Sequence, residues 1–144
     1  MSDFTSAAVG DPIAEREIEL DREALVRYAG ASGDFNPIHY RDDVAERVGL
    51  PGVLAHGMLT MGLAIQPVVE ALGDPGRIRS YSARFTRPVV VDPEAGARLH
   101  VLATIGRAAD KQGLGRIELL VRSGEQTVLG KARIVADLRG AAEA

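Results

Sequence analysis

The sequence predicts an α+β domain, an antiparallel sheet that buries one face against a single long apolar helix. Three observations lead there. Gly57 to Leu72 is apolar around its whole circumference and carries no charge before Glu70, the pattern of a helix surrounded by protein. From Arg77 to Leu138 apolar and polar residues alternate with period two, interrupted by short turn-rich links, as in strands joined by hairpins. The chain has 144 residues, enough for one domain, 1–144, to bury a core without staples.

In chain order, Asp11-Pro12 marks a turn and Ile13 to Leu20 reads as a half-exposed strand. Asp21 is the N-cap of the next helix, with Glu23 in its first turn and Leu20 and Leu25 placed as a hydrophobic staple. That helix carries Leu25, Val26, Tyr28 and Ala29 and stops around Gly30 to Gly33. Asp34-Phe35-Asn36-Pro37 cannot continue it, because Pro37 disfavours helical geometry at Asn36. Asp42 or Asp43 is expected to cap a short helix ending at Gly49. After a glycine-containing loop the central helix runs from Gly57 to Leu72, with Pro67 removing one internal hydrogen bond and kinking it. Gly73-Asp74-Pro75-Gly76 ends it. Four strands follow at Arg77–Val91, Ala97–Ile105, Leu114–Arg122 and Gln126–Leu138, and the tail, residues 139–144, is expected to fray.

Composition narrows the function. There is no cysteine, which removes disulfides, thiolate catalysis and cysteine-bound metals. A net charge of −3 and few aromatics give no footprint for nucleic acid or an anionic membrane. The uncharged run Gly57 to Val69 falls short of the roughly 20 residues a bilayer span needs. With no secretory leader in view, the expected location is cytoplasmic.

The chemistry concentrates between Tyr28 and Gln66. Asp34 and His39 share a proline-containing turn. Such a pair is often only an Asx-turn carboxylate and a backbone-satisfied histidine. Beside a glycine-rich loop and an apolar helix, the reading favoured here is a pair that positions a water and moves two protons. His56 precedes the central helix, where it could be an N-cap or a packing group. Gly57 opens that helix, so its N–H has no intrahelical partner. Lying at the positive end of the helix dipole, that N–H can hold a carbonyl oxygen as it gains charge. Other candidates are weaker. His100 reads as surface, Gly113-Leu114-Gly115 as a hairpin turn, and Asp42-Asp43 as a helix cap rather than a metal site.

Ala31-Ser32-Gly33-Asp34-Phe35-Asn36-Pro37-Ile38-His39, followed by Ala55-His56-Gly57-Met58-Leu59 and Ala83-Arg84-Phe85-Thr86-Arg87-Pro88-Val89, resembles the MaoC-like, R-specific enoyl thioester hydratases and dehydratases. Within them it is most similar to the B-type catalytic subunit of heteromeric (3R)-hydroxyacyl-carrier-protein dehydratases. The resemblance implies a hot-dog fold, a sheet wrapped around one central helix, working as a dimer of hot dogs. That dimer would form either with itself or with a related silent subunit. It implies reversible interconversion of trans-2-enoyl and (3R)-3-hydroxyacyl thioesters carried on CoA or an acyl carrier protein. Asp34 and His39 would share two proton transfers, and Gly57 N–H would hold the thioester carbonyl. Asn36, His56, Ser32 and Thr60 would support the site. No metal or redox cofactor is implied, because the thioester itself acidifies the α-proton. Many relatives carry a serine further along the central helix; Leu63-Ala64-Ile65-Gln66 has none, and Thr60 is the nearest hydroxyl. Arg77, Arg79, Arg84 and Arg87 read as a solvated strand face, or alternatively as partners for the phosphate of CoA, a phosphopantetheine arm or an acidic carrier protein. The competing readings are a hot-dog thioesterase and a purely structural subunit.

Overall fold

The computed structural model describes residues 2–140. Its elements are β1 (Pro12–Leu20), α1 (Arg22–Ser32), a 3-10 turn at Pro37–His39, α2 (Asp42–Arg47), α3 (Gly57–Leu72), β2 (Ile78–Phe85), β3 (Ala97–Arg107), β4 (Leu114–Ser123) and β5 (Gln126–Asp137). The strands form one five-stranded sheet in the order β1-β3-β4-β5-β2, antiparallel at every pairing. This is the hot-dog arrangement, with α3 packed on the concave face against β1, β2 and β3. Period-two alternation sorts the strands as expected. Leu99, Val101, Ala103 and Ile105 of β3, with Ile117, Leu119 and Val121 of β4, are all buried. They meet Ala64, Val68 and Leu72 of α3 in one core.

Local chemistry sets most of the boundaries. The Asp21 carboxylate accepts from Ala24 N–H at 2.7 Å, capping α1, while Leu20 and Leu25 are both buried beside it. Gly33 (φ 75°) and Gly73 (φ 76°) end α1 and α3 in the left-handed conformation, which glycine adopts without a Cβ penalty.

Five expectations are corrected. Neither Asp42 nor Asp43 caps α2. The N-cap position is Arg41, with no side-chain cap bond, and the two carboxylates instead pair with Arg22 and Arg41. The expected strand Arg77–Val91 is cut after Phe85. Pro88 has no N–H to give a ladder, and the chain beyond it turns to Val53–Ala55, exchanging bonds Ala55 N–H to Val89 C=O (2.8 Å) and Val91 N–H to Val53 C=O (2.9 Å). Third, α3 is not covered all round. Met58, Gly62, Gln66 and Glu70 make an exposed stripe, with Ile65 and Val69 half-buried beside it, because one five-stranded sheet reaches only part of the way round a helix. Fourth, Arg77 is not solvated. It is buried and donates to the carbonyls of Leu72 (2.5 Å), Asp137 (2.9 Å) and Ser2 (3.1 Å), a cation seated at the negative end of α3. Finally, Arg139 of the tail is tied down. Its N–H donates to the Asp137 carboxylate at 3.1 Å and its guanidinium pairs with the same group. Ala141 to Ala144 lie outside the described residues.

Arg139, through its side-chain hydrogen bond first and its charge after, holds the Asp137 carboxyl down from 3.8 to about 2. A carboxyl whose folded pKa is lowered adds stability above its unfolded value and loses it as pH falls through the folded one. The Asp137 contribution is therefore complete above pH 3.8 and gone near pH 2. Urea titrations of wild type and Arg139→Ala should differ at neutral pH and converge in strong acid.

Candidate active site

The turn after α1 is held by its own side chains. Ser32 Oγ donates to Tyr28 C=O at 2.7 Å and accepts from Asp34 N–H at 3.2 Å. Asp34 Oδ1 accepts from Asn36 N–H at 3.2 Å, and Asn36 Oδ1 from Ile38 N–H at 3.3 Å. The Asx-turn role of Asp34 is thus real, but it uses one carboxylate oxygen only. Oδ2 is left facing His39 Nε2 at 3.9 Å, too far for a direct hydrogen bond.

The segment before α3 fastens that turn from the other side. Leu54 N–H donates to Ile38 C=O at 3.1 Å, and Leu54 C=O lies 2.7 Å from His39 Nδ1. A carbonyl only accepts, so Nδ1 carries the proton and Nε2 the lone pair. His56 is 1% exposed, and its Nε2 lies 3.1 Å from Asp34 C=O, so here Nε2 is the protonated nitrogen. Its ring stacks on His39 (centroids 3.8 Å apart, planes 25°) and meets Tyr28 edge-on at 4.8 Å. Although His56 occupies the N-cap position, its side chain caps nothing. It works instead as a bracket between the Asp34–His39 turn and α3. Thr60, buried, donates to His56 C=O at 3.3 Å.

Gly57 and Thr60 line a cavity of about 300 Å³ closed by Phe85 to Val89 and by Val128 and Leu129. Among the described residues Gly57 N–H has no acceptor. A Cβ at Gly57 would stand 3.0 Å from the Phe85 ring, so any side chain there requires the ring to shift by a few tenths of an ångström. Sequence reasoning brought Asp34, His39, His56, Gly57 and Thr60 to one place. It missed the Leu54 carbonyl, the Tyr28 edge and the Phe85 ring. A backbone acceptor carries no residue-type signal, and the two aromatic contacts join distant elements.

Ligand-type atoms of Asp34, His39 and His56 all lie within 4.8 Å of one another, which raises the question of a shared metal. Stacked imidazoles point their ring-plane lone pairs along nearly parallel planes rather than at one point, and a metal ion must lie in the plane of each ring that binds it. The trio as arranged does not fit one ion.

The MaoC like domain model matches residues 3–122. The chain belongs to the MaoC-like dehydratase domain family. It is 35% identical over 113 residues to the fatty acid synthase beta subunit TOXC of Cochliobolus carbonum, covering 74% of this chain and 5% of that protein. It is 40% identical over 70 residues to 3-hydroxyacyl-thioester dehydratase X of Mycobacterium tuberculosis, covering 49% of this chain and 24% of that one. This MaoC-like chain therefore spans a quarter or less of both relatives. A solved structure of a MaoC-like dehydratase superposes with a TM-score of 0.90 at 33% identity, over 96% of this chain and 42% of the other. No helix among the described residues is long and apolar enough to cross a membrane.

Two variants of His56 separate its two contacts. His56→Phe keeps a ring on His39 but loses the donor to Asp34 C=O; His56→Gln keeps a donor but loses the ring. If the tether positions Asp34, His56→Phe lowers kcat more than His56→Gln does, while KM moves little in either. At Gly57, Gly57→Pro removes the N–H at a position that tolerates proline, and Gly57→Ala controls for crowding against Phe85. The proline variant should lose a further roughly 10²-fold in kcat beyond alanine, read from initial rates on an enoyl thioester.

Proposed function

We propose that this chain catalyses the reversible addition of water to trans-2-enoyl thioesters, giving (3R)-3-hydroxyacyl thioesters carried on CoA or an acyl carrier protein. The observation that carries the reading is the pair of free acceptors, Asp34 Oδ2 and His39 Nε2, 3.9 Å apart, joined through the His56 ring stacked on His39 to the next residue in the chain, Gly57, whose N–H is unpartnered among the described residues. A water about 2.8 Å from each acceptor fits over that gap, giving one hydrogen to each and keeping its lone pairs for the substrate. The dehydratase named among the relatives supports the same chemistry.

The fixed tautomer divides the labour between the two groups. His39 Nε2 takes a proton from the water as its oxygen bonds to the β-carbon. The displaced π-electrons move to the thioester oxygen, where Gly57 N–H stabilises the enolate. The imidazolium then returns its proton to the α-carbon on the same face, so hydroxyl and hydrogen add syn and the site is restored. Asp34 Oδ2 holds the other hydrogen of the water and balances the transient imidazolium charge. Asn36 and Ser32 keep that carboxylate in place. The thioester supplies the acidity at the α-carbon, so these steps run without a metal or redox cofactor.

The stripe Met58-Gly62-Gln66-Glu70 and the free edge of β2 leave the site flank open in a single chain. This supports assembly with a second hot-dog unit, a copy of itself or a related subunit. The cavity lining, neutral except for Arg87, suits an uncharged acyl thioester arm.

Loss of enoyl absorbance on adding crotonyl-CoA or a crotonyl carrier protein tests the reaction. Asp34→Asn should lower turnover by about 10² or more with little change in thermal stability, because Asp34 is exposed. His39→Asn, which keeps a donor for Leu54 C=O while deleting Nε2, should do the same. Full activity in both, or thiol release in place of hydration, refutes the assignment.

A further inference from the structure

Among the described residues, Thr60 is the one buried polar side chain on the cavity wall. It is 3% exposed and sits among Ala55, Val89, Val128 and Leu129. The other polar side chains there are placed differently. Thr86 and Arg87 are exposed, and the Thr86 hydroxyl is spent on Thr127 C=O at 2.7 Å. Thr60 Oγ1 donates to His56 C=O at 3.3 Å. That carbonyl already accepts from Thr60 N–H at 3.0 Å, so the hydroxyl adds a second, longer bond to an acceptor already engaged.

Stability does not account for that hydroxyl. A threonine inside a helix often bonds back to the carbonyl four residues earlier, and such bonding slightly destabilises the helix. Burying a hydroxyl costs free energy that one long bond to a shared acceptor offsets only in part. A valine of nearly the same shape would fill this apolar wall without the cost.

The position of the acceptor gives the hydroxyl a different use. His56 C=O and Gly57 N–H are the two ends of one peptide unit, and Gly57 N–H is the end with no acceptor among the described residues. A hydrogen bond accepted at the carbonyl end draws electrons toward oxygen and makes the N–H a stronger donor, by about 10–30% per bond. Two bonds to His56 C=O also fix the tilt of the peptide plane. The His56 ring, tied to Asp34 C=O at 3.1 Å, fixes the same residue from its side chain.

We infer that Thr60 is a positioning residue of the carbonyl-holding site, its hydroxyl polarising and aiming the Gly57 N–H through the His56–Gly57 peptide. The inference rests on the thioester reading above. The hydroxyl itself bonds neither substrate nor water in this role. A stronger Gly57 donor acts most on the enolate oxygen and least on the neutral carbonyl, so the contribution falls on kcat rather than KM. If a whole donor is worth about 10²–10³ in rate, a strengthening of about 10–30% is worth roughly two- to eightfold.

The test compares Thr60→Val, which keeps the shape and loses the hydroxyl, with Thr60→Ser, which keeps the donor. On crotonyl-CoA, Thr60→Val should lower kcat roughly two- to eightfold with KM unchanged, while it melts no lower than wild type. Thr60→Ser should recover most of the lost rate. In the Gly57→Pro background there is no N–H to strengthen, and His56, at ψ 132°, already has the geometry a residue before proline takes. Adding Thr60→Val there should cost nothing more. An undiminished loss in that background, an equal loss in the serine and valine variants, or an unchanged kcat in Thr60→Val overturns the proposal. The Gly57 amide proton gives a reading without turnover, in protein carrying isotope-labelled glycine and assigned by its absence in Gly57→Ala. Its resonance should move upfield in Thr60→Val and return in Thr60→Ser. That movement supports the coupling even if no thioester is hydrated, in which case the hydratase reading alone fails. A resonance that stays in place in Thr60→Val overturns the coupling even if hydration proceeds.

Discussion

The structure hinges on a short seam of hydrogen bonds between the turn after α1 and the segment before α3. Ile38 and Leu54 meet through the main chain, His39 is tied to the Leu54 carbonyl, and the Asp34 carbonyl is tied to His56. These bonds do more than join two loops. A carbonyl opposite one imidazole nitrogen decides which nitrogen keeps its lone pair, and each of these two histidines has its tautomer chosen in this way. His39 is left with a basic nitrogen pointing at Asp34, while His56 is spent on holding Asp34 where that nitrogen can share a water with it.

The hot-dog scaffold makes the seam possible. The sheet grips α3 along its buried side, and Arg77 secures the C-terminal end by donating to the Leu72 carbonyl there. The N-terminal end of α3 is thereby held still with its first N–H open to the cavity. Pro88 has a matching role. By ending β2 at Phe85 it releases the following residues to pair with Val53–Ala55, and that pairing carries Leu54 to the histidine it orients. Phe85, at the point of departure, lies closely against Gly57, so that a Cβ there would stand 3.0 Å from its ring.

Much of this was legible in the residues. The caps at Asp21, Gly33 and Gly73, the Asx turns at Asp34 and Asn36, and the period-two strands are local effects, each set by a few neighbouring side chains. The α2 cap failed because Asp42 and Asp43 found arginine partners, one of them on α1, and such competition cannot be seen from spacing. The full burial expected of α3 failed for a different reason. An apolar circumference does not tell how far round a helix one five-stranded sheet reaches.

The sequence by itself determined that a carboxylate, two histidines and a helix-opening glycine belong to one site on an α+β scaffold, because turn and helix-end chemistry is short-ranged. Only the tertiary structure decided which nitrogen of each histidine is protonated, that His56 is a bracket rather than a cap, and that Arg77 is structural. Those facts depend on backbone carbonyls and on pairings between residues far apart in the chain, which residue type does not encode.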